Sequence, residues 1–225
     1  MTARKPVLTL KLATSLDGRI ALANGASQWI TGAEARAEVH RLRAASDAVL
    51  TGIGTVLADD PLMTARPDGE LAERQPFRAV LDTRLRFPET AQMLADTSGP
   101  VLIYCGRDVP GHAVSRLQEK GAEIVPVSRF DGPSIAFRSV IEDLVQRECN
   151  SILIEAGSRV AGAALRSGLV DRIEWFRAPV MLGGDSRPVL DALGFERLDE
   201  APIFTREQVT ECGPDLHETY VRAKG

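Results

Sequence analysis

The sequence predicts an α/β fold built on one mixed sheet, and three observations carry that prediction. Short apolar runs alternate with helical patterns along most of the chain. Most of the runs are apolar throughout, as in strands covered on both faces. The last two runs instead alternate apolar and polar residues and are separated only by "ECGP", the pattern of an antiparallel pair. One domain over residues 1–225 accounts for this order better than two.

The elements follow in order. Strands are predicted over 7–13 (VLTLKLA), 47–53 (DAVLTGI), 77–82, 101–105, 122–127, 151–156 and 171–180, with the antiparallel pair over 202–209 and 215–223. The clearest helix is 31–46, where Thr31 is placed to cap, Glu34 follows three residues on, and Val39, Leu42 and Ala45 share a face. Further helices are predicted over 111–120, 134–147 and 158–167, with Gly121 and Gly168 as stops. Segment 65–76 is polar and marked by Pro and Gly, which reads as a mobile surface loop, either a neutral excursion or a neighbour of the site.

Composition narrows the function classes. The chain has 225 residues, 44% of them hydrophobic, and a formal net charge of -4. That balance argues against a general nucleic-acid binder but permits an anionic ligand, because a local site can oppose the global sign. No segment approaches the apolar length of a membrane helix, and the N-terminal stretch 1–18 lacks a signal core and cleavage site. Cys105, Cys149 and Cys212 are too widely spaced for a disulfide framework or a CxxC zinc site, so the expectation is a reducing cytoplasm. Histidines stand only at 40, 112 and 217, with no HExxH, and no metal is expected.

Several turns carry chemistry-bearing residues. In "EAGSRVAGA" small side chains sit at a predicted helix start, where backbone amides can face an anion; a plain packing turn is the other reading. Glu155 ends the preceding strand, where a buried carboxylate needs a partner: a polar ligand, the following helix or an arginine. In "LTGIGTVLADDPLMTAR" Thr55 can cap a short helix, and Asp59 and Asp60 are adjacent carboxylates that point apart and lack a third metal ligand. Arg66 offers a fork suited to phosphate or to a surface ion pair. Asp17-Gly18 marks a turn, Ser27 can donate to phosphate or sugar, and Trp29 offers a flat contact surface or core packing. Arg43 by pattern alone reads as solvated, and Lys11 within a strand needs an edge or a partner.

Together these pieces resemble the reductase domain of bacterial riboflavin biosynthesis, usually the C-terminal half of a bifunctional deaminase/reductase. The matching stretches are "LKLATSLDGRIALANGASQWITG", "RLRAASDAVLTGIGTVLADDPLMTAR", "VLDTRLRFP", "ILIEAGSRVAGAAL" and "LVDRIEWFRAPVMLGG", which cover nearly the whole chain in order. The resemblance implies a three-layer dihydrofolate-reductase-like fold with a mixed central sheet and antiparallel C-terminal strands. It implies reduction of a ribosylaminopyrimidine phosphate, a phosphorylated pyrimidine-ribose small molecule, with NADPH, the sugar opening to an imine that accepts hydride at its first carbon. By carry-over Ala13, Trp29, Thr55, Asp59 and Thr83 contact the cofactor, and the turn of Gly157, Ser158, Arg159, Val160, Ala161, Gly162 and Ala163 holds its phosphates. Ser27, Arg43, Met63 (through its backbone) and Arg66 grip the phosphate end of the substrate, and Glu155 meets the substrate beside the nicotinamide. No histidine falls in these motifs, so solvent or a carboxylate moves the proton; Asp59 and Glu155 are the catalytic candidates. A homodimer is implied as well, because members of the family commonly dimerise. The sequence departs from the full pattern in lacking the N-terminal zinc deaminase domain, and Met63 stands where leucine is common. The alternatives are a same-fold reductase of a pterin or another heteroaromatic substrate, and a non-catalytic nucleotide-binding protein.

Overall fold

The computed structural model describes residues 5–128 and 134–223; residues 1–4, the start of the stretch read above for a signal, and the other ends of the 1–225 span lie outside them. In chain order the elements are β1 (Val7–Thr14), β2 (Arg19–Ala21), α1 (Ala33–Ala44), β3 (Ala48–Gly52), α2 (Ile53–Asp59), β4 (Phe77–Leu81), α3 (Gln92–Ala95) and β5 (Val101–Gly106). There follow α4 (Gly111–Glu119), β6 (Ala122–Val127), α5 (Phe137–Gln146), β7 (Ser151–Glu155), α6 (Ser158–Arg166), β8 (Arg172–Arg177), β9 (Arg187–Pro188), β10 (Phe204–Cys212) and β11 (Asp215–Arg222). They gather into two compact units, one over His40–Leu153 and the other over Val7–Val39 with the chain from Ile154 onward.

In the His40–Leu153 unit, β3, β4, β5 and β6 pair in that order, all parallel. β3 and β5 are buried along their whole length, which is why their sequences are apolar without alternation. Ile53 and Val56 of α2, Leu117 of α4 and Met93 of α3 pack with strand residues Val49, Val80 and Ile103 in one core. Each such side chain contributes roughly 1.5–3 kcal/mol by leaving water. On α5 the buried Val140, Ile141 and Leu144 recur at helical spacing and form its core stripe. Gly121 takes a φ of +89° after α4, a left-handed stop that glycine adopts without steric cost.

In the other unit β1 pairs parallel with β8, β8 antiparallel with β11, and β11 antiparallel with β10, so the strands there are mixed. Leu8, Leu10 and Leu12 of β1 are buried and alternate with the half-buried Thr9, Lys11 and Ala13. Lys11 stands opposite Glu174, and its ammonium lies 6.0 Å from the centre of the Phe176 ring, which supplies the partner its position called for. β10 is the edge strand and is exposed along most of its length.

The structure corrects several local expectations. Helix α1 begins at Ala33, so Gly32 and not Thr31 flanks its start, and the Thr31 carbonyl instead receives a hydrogen bond from Arg36 at 2.7 Å. Thr55 is not a cap: α2 starts at Ile53 behind Gly52, which places Thr55 inside the helix. The strand predicted over 171–180 ends at Arg177. Segment 65–76 is stapled rather than loose, because the Gln75 carboxamide accepts from the Ala65 amide at 2.8 Å and donates to the Ala65 and Ala72 carbonyls at 2.9 and 3.0 Å. The short β2–β9 pair and the four-residue α3 were not foreseen, being too brief to show a period.

Candidate active site

The predicted site residues divide between the two units. In the His40–Leu153 unit the last turn of α1 carries His40 and Arg43, and both reach segment 62–66. One terminal nitrogen of Arg43 donates to the Thr64 carbonyl at 3.1 Å, and the other lies 3.9 Å from the Met63 sulfur. Arg66 Nε donates to the Thr64 hydroxyl at 3.2 Å, so Arg43 and Arg66 converge on one buried residue. Met63 is itself buried and takes a φ of +55°, a left-handed conformation that a non-glycine residue adopts only when its neighbours enforce it. The carbonyl of the preceding Leu62 accepts at 3.4 Å from Arg78, which is 1% exposed and also donates to Asp96 and the Gly99 carbonyl.

Thr55 and Asp59 sit four residues apart on α2 and therefore share a face. Neither side chain makes a hydrogen bond among the described residues; Asp59 is exposed, and partial desolvation with no opposing cation moves its carboxyl above its ordinary range. Asp60 points elsewhere, its carboxylate accepting from the Gln92 amide at 2.9 Å. Thr83 follows β4, and its hydroxyl oxygen accepts from the Ile135 amide at 3.2 Å, which leaves the hydroxyl proton for another acceptor.

In the other unit Ala13 lies near the end of β1, opposite Phe176. Ser27 and Trp29 stand in the loop before α1; Trp29 is 70% exposed, and the Arg36 guanidinium lies 4.5 Å from its ring centre. Beside Trp29 opens a groove of about 370 Å³ lined by Arg36, Pro179, Val180, Pro214 and Asp215. The buried Asp215 takes the Gly32 amide at 2.7 Å, so negative charge already occupies the start of α1.

Glu155 ends β7, buried and partnered. Gly157 follows as the N-cap of α6 with no side-chain cap. The amides of Val160 and Ala161 bond to the Gly157 carbonyl at 3.1 Å each, so the amides before them have no acceptor within the helix. A Cβ built on Gly157 would meet nothing within 4 Å, whereas one on Gly162 would lie 3.4 Å from the Asp191 carbonyl and 3.3 Å from Arg166. The predicted phosphate turn thus has an open beginning and a packed continuation, with Ala161 and Gly162 buried, Ser158, Val160 and Ala163 half-buried, and Arg159 exposed.

The model of the RibD C-terminal domain family matches residues 6–218. The chain belongs to the RibD C-terminal domain family. It is 34% identical over 98% of its length to the riboflavin biosynthesis protein RibD of Bacillus amyloliquefaciens, of which it covers 58%. Among solved structures it matches RibD of Acinetobacter baumannii with a TM-score of 0.82 and 32% identity, over 98% of this chain and 59% of that one. A diaminohydroxyphosphoribosylaminopyrimidine deaminase/5-amino-6-(5-phosphoribosylamino)uracil reductase from Thermotoga maritima matches with a TM-score of 0.77 and 26% identity, over 97% and 57%. The chain therefore spans a little over half the length of these RibD relatives. The fold is the three-layer α/β class of those structures, as the resemblance implied.

Among the described residues no group of three or more metal-ligating side chains is arranged to hold an ion, and no helix is long and apolar enough to cross a membrane. Burial pushes the Cys105 and Cys149 thiols up to about 11. Sequence reasoning missed the roles of Arg78 at the Leu62 carbonyl, Arg36 at the Trp29 ring, and Asp17. The Asp17 carboxylate accepts from the Ser15 hydroxyl at 2.6 Å and from the Leu182 and Gly183 amides at 3.1 and 2.8 Å. "SLDG" gives a signal for the Asp17 turn but none for the clamp, whose amide partners lie 165 and 166 residues on.

Proposed function

We propose that this chain is an NADPH-dependent reductase of a phosphorylated ribosylaminopyrimidine; its Thermotoga maritima relative is named as a 5-amino-6-(5-phosphoribosylamino)uracil reductase. One observation carries the reading: two arginines from separate elements are locked onto Thr64, beside a Met63 backbone held in a left-handed conformation. A dianionic phosphate is matched by such paired forks.

The residues present also fit a dinucleotide. The uncapped start of α6, with open space at Gly157, offers backbone amides and positive helix-end potential to a pyrophosphate. Trp29 offers an exposed ring, and Thr55 and Thr83 offer hydroxyls. NADPH, when bound, supplies the hydride. The protein's own work is positioning and proton management. Arg43 and Arg66 anchor the phosphate so that the sugar end is presented in one orientation. Glu155 accepts from the pyrimidine and opposes positive character as the imine forms. Asp59, on one face of α2 with Thr55 and with its carboxyl moved up by partial desolvation, holds the proton that ring opening and imine formation need.

The test is anaerobic incubation of the protein with NADPH and the deaminated ribosylaminopyrimidine phosphate. The expected result is loss of the reduced-nicotinamide absorbance and a product heavier by two hydrogens. Oxidation of NADPH by a pterin but not by the phosphate ester, or by neither, overturns the reading.

A further inference from the structure

We infer that His40 is a positioning residue for the substrate's phosphate, acting through the backbone amide of Arg66; this rests on the reductase reading above. The Nδ1 atom of His40 lies 3.2 Å from the Arg66 amide nitrogen and 3.1 Å from the Thr64 carbonyl oxygen. A single ring nitrogen cannot serve both. With a proton on Nδ1 it donates to Thr64, and the Arg66 amide is left with no acceptor at that position. Without one it accepts from Arg66.

Partner counting decides between them. The Thr64 carbonyl already receives a hydrogen bond from Arg43 at 3.1 Å. If His40 also donates there, that carbonyl holds two donors while a part-buried amide two residues on holds none. If Nδ1 accepts, the Thr64 carbonyl and the Arg66 amide both have a partner. His40 therefore carries its neutral-form proton on Nε2 and presents Nδ1 as an acceptor.

The consequence falls on Arg66. Its amide is fixed by His40 and its Nε by the Thr64 hydroxyl at 3.2 Å, so backbone and side chain are pinned at both ends of the residue. The two terminal nitrogens make no hydrogen bond among the described residues. Thr64, held by Arg43, and Arg66, held by His40, are gripped from the same turn of α1, with position 40 three residues before position 43. One helical turn thus sets the direction of the whole phosphate fork.

The test compares His40→Asn with His40→Leu, two side chains of nearly the same shape. Asn keeps an acceptor where Nδ1 stood; Leu does not. For the phosphorylated substrate, H40L is expected to raise KM about tenfold with kcat and the KM for NADPH within about twofold. H40N is expected to stay within about threefold of wild type in all three. For the phosphate-free analogue, H40L and wild type should agree. Thermal melting of each variant reports whether it folds; if H40L does not, H40N against His40→Ser, which has no acceptor at that reach, makes the same comparison. The proposal is overturned if H40L keeps the wild-type KM, if H40N and H40L fall alike, or if the loss is equal without phosphate. Arg66→Met separates the two levels of the argument. If R66M raises KM and H40L does not, only the role of His40 falls. If R66M leaves KM unchanged, the phosphate assignment falls and takes the role of His40 with it.

Discussion

Asp59 and Asp60 are adjacent and chemically identical, yet the backbone sends them to different tasks. Asp60 takes a φ of +41°, ends α2 and holds the Gln92 amide. Asp59 remains on the helix face with Thr55, exposed, and partial desolvation raises its carboxyl because no cation or donor offsets the lost hydration. If Asp59 supplies the proton, its protonated form is the active one, and kcat falls as pH rises through its raised pKa. Asp59→Asn is expected to lower kcat by about a hundredfold or more and to flatten that limb of the profile, read by steady-state rates across pH. A D59N enzyme with wild-type kcat and an unchanged profile would remove the acid role. Asp60→Ala should instead cost about 1 kcal/mol of stability, from the lost cap on α3, with kcat unchanged. Thermal melting and kcat together distinguish the pair.

At the scale of the element, α6 tests whether its glycines serve ligand or packing. Gly157 has an ordinary φ of -67° and open space where a side chain would go, so Gly157→Asp is sterically tolerated and adds a capping carboxylate. Its folding stability is expected to hold or rise by a few tenths of a kcal/mol. Its affinity for NADPH should fall at least tenfold, because the new charge sits where the pyrophosphate is proposed to bind. Gly162→Val makes the opposite case. Its Cβ would press on the Asp191 carbonyl at 3.4 Å, and the expected cost is about 1–3 kcal/mol. Calorimetry of NADPH binding beside thermal melts reads both; a G157D protein that binds NADPH like wild type returns this turn to mere packing. The same helix shows what the sequence makes legible. Its start was readable because glycine and small residues follow a strand-ending carboxylate. That Gly157 is open while Gly162 is packed was not, since both are simply glycines until Asp191 arrives from elsewhere in the chain. β3 and β5 were legible because burial on both faces leaves only apolar residues. Arg43 was not, because a solvated arginine and one pinned to a carbonyl 21 residues away look alike in a helical pattern, and only resemblance singled it out. His40 is illegible for the same reason: its contacts with the Thr64 carbonyl and the Arg66 amide are to backbone atoms, which carry no sequence signal.

For the molecule as a whole, the carboxylates decide how folding responds to acid. Asp17, held by the Ser15 hydroxyl and by the Leu182 and Gly183 amides, is lowered from 3.8 to about 2. Asp47 and Asp96 are also lowered, hydrogen bonds outweighing the desolvation that would raise them. Glu174 is the most deeply set of these groups: burial would raise its carboxyl, but His217 at 2.8 Å, Arg172 at 2.6 Å and the Thr219 hydroxyl at 2.7 Å hold it below 4.5. A carboxylate depressed in the folded state binds protons more weakly there than in the unfolded chain. Its contribution is therefore complete above the unfolded pKa and is lost as pH falls through the folded one. The loss begins near the ordinary values of 3.8 and 4.5 and, through Asp17, continues down to about pH 2. Glu174→Gln keeps the shape but removes the charge opposite Arg172, and is expected to cost about 2 kcal/mol at neutral pH. Because the wild-type carboxyl is itself neutral once protonated, the gap between wild type and E174Q should narrow as pH drops below 4.5 and close when Glu174 is fully protonated. Denaturant unfolding at a series of pH values measures that gap directly. A gap that stays constant from neutral to acid pH would mean that the cost comes from packing, and that the hydrogen bonds to Glu174 do not depend on its charge.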